Sequence, residues 1–328
     1  MIIAYHFSKK GDIKKVNINA GDPLPTNVIW IDLIEPSLKE EKFIEQVLKV
    51  EAPTQEEMDK FEVISPFYKE GNAHYMTVTL HDKMSKEFPD SIAVTFIITD
   101  GCLVSIRYDK PKSFDYFSFW VMRNYKNSTA PDNVLTGIAD FIMNCTADIL
   151  EEVGNDIDKL LKLVFEKPIE KDKLSAKRYN EIIRQIGYTG NIISKNRESL
   201  VSINRMIMYF SQIEDAKYMN KRDIRLRIRH LSREISSLSE YANFLSQRNS
   251  FILDATLGMI SVEQNLIIKV FTVAAAVFMP PTLIASIYGM NFDYMPELKL
   301  IFGYPLALLL IVISALLPYY YFKRKGWL

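Results

Sequence analysis

Histidine, cysteine and glycine are scarce in this chain of 328 residues, which has four His, two Cys and twelve Gly. The two cysteines, Cys102 and Cys145, fall in a strand-like and a helix-like run. Their spacing offers neither a disulfide framework nor a metal cluster, so both read as buried thiols. There is no glycine-rich phosphate loop, no Ser-His-Asp set and no Cys/His cluster. An enzyme is therefore not expected, and no catalytic residue is assigned. An excess of charge is missing too, with 40 Lys and Arg against 40 Asp and Glu, so no overall field argues for a nucleic-acid partner. The first residues, Met1 to Phe7 followed by Lys9 and Lys10, lack the long apolar stretch of a signal peptide. The large polar part is expected to stay in the cytoplasm.

Charge is also absent locally, and there the sequence is most informative. No charged residue occurs between Val270 and Phe292, nor between Leu300 and Phe322, two stretches of 23 residues each. About 20 apolar residues cross a hydrocarbon core of about 30 Å, so each stretch can span a bilayer once. The predicted membrane domain is 269–328: a first span at 270–289, an external loop at 290–301, a second span at 302–322 and a basic tail at 323–328. The loop carries Asp293, Glu297 and only Lys299, whereas Lys323, Arg324 and Lys325 follow the second span directly. The positive-inside rule then places both termini in the cytoplasm of a cell whose inner membrane holds the chain. Leu306–Val312 suits a lipid-facing helix.

Upstream, residues 1–130 alternate β-branched runs with helical stretches. Strands are predicted at Ile2–Phe7, Ile13–Ile18, Val28–Asp32, His74–Leu80, Ile92–Ile98 and Leu103–Ile106. Helices are predicted at Leu38–Val50 and Gln55–Phe61, opening after Ser37 and Thr54. The fold class is α+β: a mixed sheet with covering helices. Residues 131–220 read as two long antiparallel helices broken at Lys167-Pro168. Glu151, Glu152, Asp156 and Asp158 crowd the first of them as a solvated acidic face. Residues 221–268 read as a stalk, because Ile224, Ile228, Leu231, Ile235, Leu238, Ala242 and Leu245 keep the four-three spacing of a coiled-coil seam. One helix from Lys221 to Tyr288 would extend for roughly 100 Å at 1.5 Å per residue.

Polar residues on that helix share a side. Asp254, Ser261, Asn265, Thr272, Thr282 and Ser286 fall within an arc of about 100° at about 100° per residue. Ala275, Met279 and Gly289 lie on or beside the same stripe, which points toward Asn291. Polar groups facing lipid are costly but are tolerated along a water-filled axis, so the stripe reads as the lining of a pore. The plainer reading is that each hydroxyl bonds back to its own helix. Two spans cannot enclose a pore, so identical subunits must close it as a ring. Pro280-Pro281 is unusual inside a span and reads as a kink, with Thr282 or a neighbouring subunit covering the lost bonds.

Tyr288-Gly289-Met290-Asn291 with Met295-Pro296-Glu297-Leu298, between two C-terminal spans, resembles the CorA family of divalent-cation channels. The likeness continues through Phe302-Gly303-Tyr304-Pro305 to the tail Lys323-Arg324-Lys325-Gly326-Trp327-Leu328. Ile29-Trp30-Ile31-Asp32-Leu33-Ile34-Glu35-Pro36 resembles the strand and turn of that family's soluble domain. The resemblance implies a pentameric funnel that imports Mg²⁺, with Co²⁺ and Ni²⁺ as further cargo, through a filter of Gly289, Met290 and Asn291. It implies that Phe271 and Met279 narrow the pore and that Asp293 and Glu297 concentrate cations at the outer mouth. It also implies a regulatory site for cytoplasmic Mg²⁺: Asp82 and Asp254 match acids of that site. His230 stands where an aspartate is expected, leaving Asp223 and Glu234 as the candidates to replace it.

The chemistry of the amide agrees with that cargo. Mg²⁺ dehydrates reluctantly and prefers oxygen, and a ring of Asn291 carbonyls can hold a hydrated ion without stripping it. Thiolates or imidazoles would select softer metals, and the spans contain neither. Two other readings remain open at this point. One is a zinc or Co²⁺/Ni²⁺ specialist on the same scaffold, and the other is a non-conducting, membrane-anchored oligomeric sensor.

Overall fold

The computed structural model describes residues 1–8, 11–58, 66–81, 91–99, 101–124, 130–165, 176–213, 221–291, 295–296 and 300–327. The chain divides into two compact units, Met1–Leu253 and Asp254–Leu328. The first opens with strands β1 (Ile2–Phe7), β2 (Ile13–Ile18) and β3 (Val28–Ile34), then helix α1 (Leu38–Leu48). Strands β4 (Phe67–Glu70), β5 (Ala73–His81), β6 (Ser91–Ile98) and β7 (Leu103–Arg107) follow, and then helices α2 (Lys112–Asn124), α3 (Pro131–Phe165) and α4 (Ala176–Ser211). Helix α5 runs from Lys221 to Tyr288 and belongs to both units; α6 is Gly303–Arg324. The helix predicted at Gln55–Phe61 is helical at 55–58, and its remainder lies outside the described residues, as does Lys167-Pro168.

The seven strands form one mixed sheet in the order β2-β1-β3-β7-β6-β5-β4, with β3 and β7 parallel and every other pair antiparallel. Alternation along β3 sends Ile31 and Leu33 into a core with Ile44, Met58, Tyr75 and Val104. The opposite face takes Trp30, which stacks on Tyr5 at 4.2 Å and meets the Phe117 ring edge-on at 5.4 Å. Asp32, on that same face, is buried in a bidentate pair with Arg107: Nη2 donates to Oδ2 at 2.8 Å and Nε to Oδ1 at 3.1 Å. Ser105 Oγ donates to Asp32 Oδ1 at 2.7 Å and accepts from Trp30 Nε1 at 2.9 Å. Thus Asp32 of the Ile29–Pro36 signature belongs to a satisfied structural ion pair.

Two elements went unpredicted. Helix α2 is rich in Phe, Tyr and Trp, residues that favour strands, and becomes helical where Phe114 and Phe117 can be wholly buried. Strand β4 has only four residues, although Gly71 at φ 56° marks its two-residue turn into β5.

The seam of α5 is buried inside the chain itself. Ile224, Leu231, Ile235, Ala242, Leu245 and Ile252 are covered, and the neighbouring contacts are to α3 and α4. A Cβ on Gly154 would meet Tyr241 Oη at 2.8 Å, and one on Gly190 would meet Asn249 Nδ2 at 2.9 Å. Thr189 Oγ1 donates to Asn249 Oδ1 at 2.8 Å, and Asn249 Nδ2 donates to the Ile186 carbonyl at 3.0 Å. The predicted coiled-coil seam is therefore the contact of α5 with the chain's own α3 and α4. Asp156 and Asp158 of the acidic face pair with Lys159 and Arg248 respectively. Cys102 is buried and Cys145 half-buried, and neither is in a disulfide. Burial pushes the Cys102 thiol up, opposed by a hydrogen bond to Thr99.

Candidate functional site

Helices α5 and α6 are each long and apolar enough to cross a membrane, and almost none of either apolar window is buried. Helix α5 ends at Tyr288, where Gly289 N donates to the Ala285 carbonyl at 3.0 Å and Met290 N to that of Ile287 at 3.3 Å. Gly289 is not among the residues at positive φ. Its small size matters instead, because an added Cβ would sit 3.2 Å from the Ala285 carbonyl oxygen. Asn291 follows outside the helix and is exposed.

All the stripe residues are exposed: Asp254, Ser261, Asn265, Thr272, Ala275, Met279, Thr282 and Ser286. Phe271 and Met279 are 71% and 68% exposed. The positions between Thr272 and Tyr288 with partial or full cover are Val273, Ala274, Ala276, Val277, Pro280, Pro281, Ile284 and Tyr288. At about 100° per residue they centre on the side of α5 roughly opposite the Thr272–Ser286 stripe. Helix α6, the other helix of this unit, is available to cover them, and Lys269 lies over the Trp327 ring at 5.8 Å. The stripe is left open.

Three stripe hydroxyls also bond back to their own helix, as the plainer reading expects. Ser261, Thr272 and Thr282 donate to the carbonyls of Leu257, Ile268 and Phe278 at 3.0, 2.8 and 2.7 Å. Their oxygens keep lone pairs for water, so back-bonding and a wet face coexist. Thr282 does not cover the bonds lost to Pro280 and Pro281. The missing donors orphan the Ala276 and Val277 carbonyls four residues earlier, whereas Thr282 turns to Phe278. The helix continues through both prolines.

Of the acids predicted to attract or sense cations, Asp82, Asp293 and Glu297 lie outside the described residues. Asp223 and Asp254 are exposed. Glu234 sits 3.7 Å from His230 Nδ1, one helical turn away. Among the described residues no group of three or more His, Cys, Asp or Glu side chains is gathered for a metal.

The tail holds a feature that the sequence reading missed. Gly326 at φ 68° closes α6 with two bonds: Gly326 N to the Lys323 carbonyl at 3.2 Å and Trp327 N to that of Phe322 at 3.1 Å. The Phe322 and Trp327 rings meet at 5.2 Å. A glycine just past Lys-Arg-Lys was the available signal. The closure fixes Trp327 over Lys269, and Lys325 lies over the Tyr321 ring at 5.1 Å, a collar of cations and rings suited to a bilayer interface.

The family described as CorA-like Mg²⁺ transporter protein matches residues 26–324. The chain belongs to the CorA-like Mg²⁺ transporter family. It is 31% identical to the magnesium transport protein CorA of Pasteurella multocida, over 97% of this chain and 98% of that one. Identity to the protein of the same name from Wolinella succinogenes is 33%, over 92% of each chain. The complete CorA magnesium transporter structure from Methanocaldococcus jannaschii shares the fold, with TM-score 0.79 at 17% identity, covering 100% of this chain and 99% of that one. The CorA architecture thus extends over the sheet, the long helix and both candidate spans. The family is one of transporters, in keeping with the absence of a catalytic constellation from the sequence.

Proposed function

We propose that the chain assembles with identical copies, as a pentamer, into a channel of the inner membrane that takes up Mg²⁺. The observation that carries this reading is the polar stripe of α5, open from Thr272 to Ser286, running to the exposed amide of Asn291. The shared name of the bacterial relatives, magnesium transport protein, supports Mg²⁺ as cargo. Co²⁺ and Ni²⁺, also hard enough for oxygen ligands, would follow the same path.

In this reading Gly289 ends the helix tightly, Met290 packs beside it, and the Asn291 carbonyls accept hydrogen bonds from water on the hydrated ion. Asp293 and Glu297 raise the cation concentration at the outer mouth. Below the filter the ion passes Ser286, Thr282, Ala275 and Thr272, and Asn265 and Asp254 line the way out. Rings of Phe271 and Met279 close the path by dewetting. Cytoplasmic Mg²⁺ favours the closed state by bridging acids of neighbouring subunits, with Asp82, Asp223 and Asp254 as the candidates. Glu234, turned toward His230, is the weakest of that set. Both termini lie in the cytoplasm.

The test is Mg²⁺ uptake into proteoliposomes carrying an enclosed indicator dye. Asn291→Ala should assemble like the parent chain and abolish uptake. Parental flux through the assembled variant would sink the filter assignment. No flux even through the parent chain would favour the non-conducting sensor.

A further inference from the structure

A cavity of about 530 Å³ opens between α2, α3 and α5, away from every residue placed on the ion path. Trp120 comes from α2, and Gly137, Asp140, Phe141 and Asn144 come from one face of α3 at helical spacing. Arg227, His230 and Glu234 come from one face of α5. The Trp120 and Phe141 rings stand 5.7 Å apart and inclined at 55°, each braced on the fully buried Phe117. The pocket therefore has a rigid aromatic wall facing a set of charged groups.

The charges do not balance. Asp140 is half-buried and, among the described residues, has neither a hydrogen bond nor an ion pair. Burial pushes its carboxyl up, and Arg227 only partly opposes that. Arg227 spends its Nη1 donor on Asn133 Oδ1 at 3.3 Å and Thr136 Oγ1 at 3.4 Å. His230 faces Glu234, the second carboxylate, at 3.7 Å. Asp140 thus holds a carboxylate with no hydrogen-bond partner in the pocket, attracted through space by Arg227 and His230 and opposed by Glu234.

A bare dication fits poorly, because Asp140, His230 and Glu234 line the pocket without being gathered closely enough to hold a metal, and aromatic rings offer an ion no oxygen. The volume is also that of a small organic molecule. An ammonium group on a carbon chain meets every feature: its charge pairs with Asp140, its chain lies on the aromatic wall, and cation–π attraction adds to both. We propose that this pocket binds a small organic ammonium compound, with a linear primary diamine as the simplest member of the class. One ammonium would sit between Asp140 and the Trp120–Phe141 wall and the other toward Glu234. The site lies on the helix that continues into the candidate pore, but its binding is independent of the transport reading and is measured without it.

The experiment is calorimetric titration of the detergent-solubilised full chain with 1,4-diaminobutane, in buffer with and without Mg²⁺. Saturable binding, one per chain, is expected, weakened about tenfold or more by Asp140→Asn and by Trp120→Leu. Asp140→Asn should also leave the thermal midpoint unchanged or raise it, because it removes a half-buried carboxylate that has no hydrogen bond within the protein. A residue kept only for structure would lower it. Should Asp140→Asn not fold, Glu234→Gln with Trp120→Leu reads the same loss. Three results would overturn the proposal: no binding of the diamine at millimolar concentration, equal binding of 1,4-butanediol, or equal affinity in the variants. Displacement by Mg²⁺ beyond that by K⁺ at matched ionic strength would also overturn it, in favour of a metal site.

Discussion

Asp32 shows how far single residues can be read from the chain alone. Its place in a strand-and-turn signature is visible in Ile29–Pro36, yet its role is not. The groups that satisfy it, Ser105 and Arg107, come 73 and 75 positions later and reach it only because β3 and β7 pair in parallel. The same holds for Asn249, which continues an apolar seam in sequence and proves to clamp Thr189 and the Ile186 carbonyl. Removing one partner of a buried ion pair leaves the other uncompensated, at about 3–5 kcal/mol, whereas replacing both with apolar groups is often neutral. Asp32→Ala should therefore lower the thermal midpoint of the solubilised chain sharply, and Asp32→Leu with Arg107→Met should restore most of it. Equal midpoints for the parent and Asp32→Ala would mean that the pair contributes nothing.

At the scale of elements, periodicity was the dependable signal and partnership the hidden one. The bounds of α5 follow from a helical pattern that starts at Lys221 and stops before the glycine at 289, continuing through Pro280 and Pro281, and α6 extends only slightly beyond its predicted span. Four-three spacing identifies a buried seam without saying what buries it, and here it is α3 and α4. Exposure in the membrane part has the same ambiguity, since Phe271, Phe278 and Leu283 are all uncovered in a single chain. Only the angular separation between the covered positions and the polar stripe divides the two sides. If Phe271 and Met279 form a dewetting constriction, a small polar side chain there should let water bridge it. Phe271→Ser and Met279→Ser should each raise Mg²⁺ leak into proteoliposomes when internal Mg²⁺ is high. Closed-state flux equal to the parent in both variants would place the constriction elsewhere.

For the whole molecule, the sequence specified the division of labour: a polar α+β part, a long helix and two apolar helices around an amide. The acids that it named at 82, 293 and 297 lie outside the described residues, and the number of copies around the axis is carried by no single chain. The energy source can still be argued from what the chain contains. No nucleotide-binding motif occurs, and neither apolar stretch holds an acid to relay protons. Uptake through the proposed path is expected to be passive and driven by the membrane potential. A dication crossing the full field gains about 4.6 kcal/mol per 100 mV, twice the value for one charge. At about 1.4 kcal/mol per tenfold, that draws Mg²⁺ inward against a gradient of more than about a thousandfold. In cells, collapsing the potential with valinomycin and external potassium should slow uptake, while ATP depletion at a clamped potential should leave it unchanged. A requirement for ATP at fixed potential would contradict a channel, because a pore with the proposed lining of Thr272, Thr282 and Ser286 would have no means of coupling ion movement to hydrolysis.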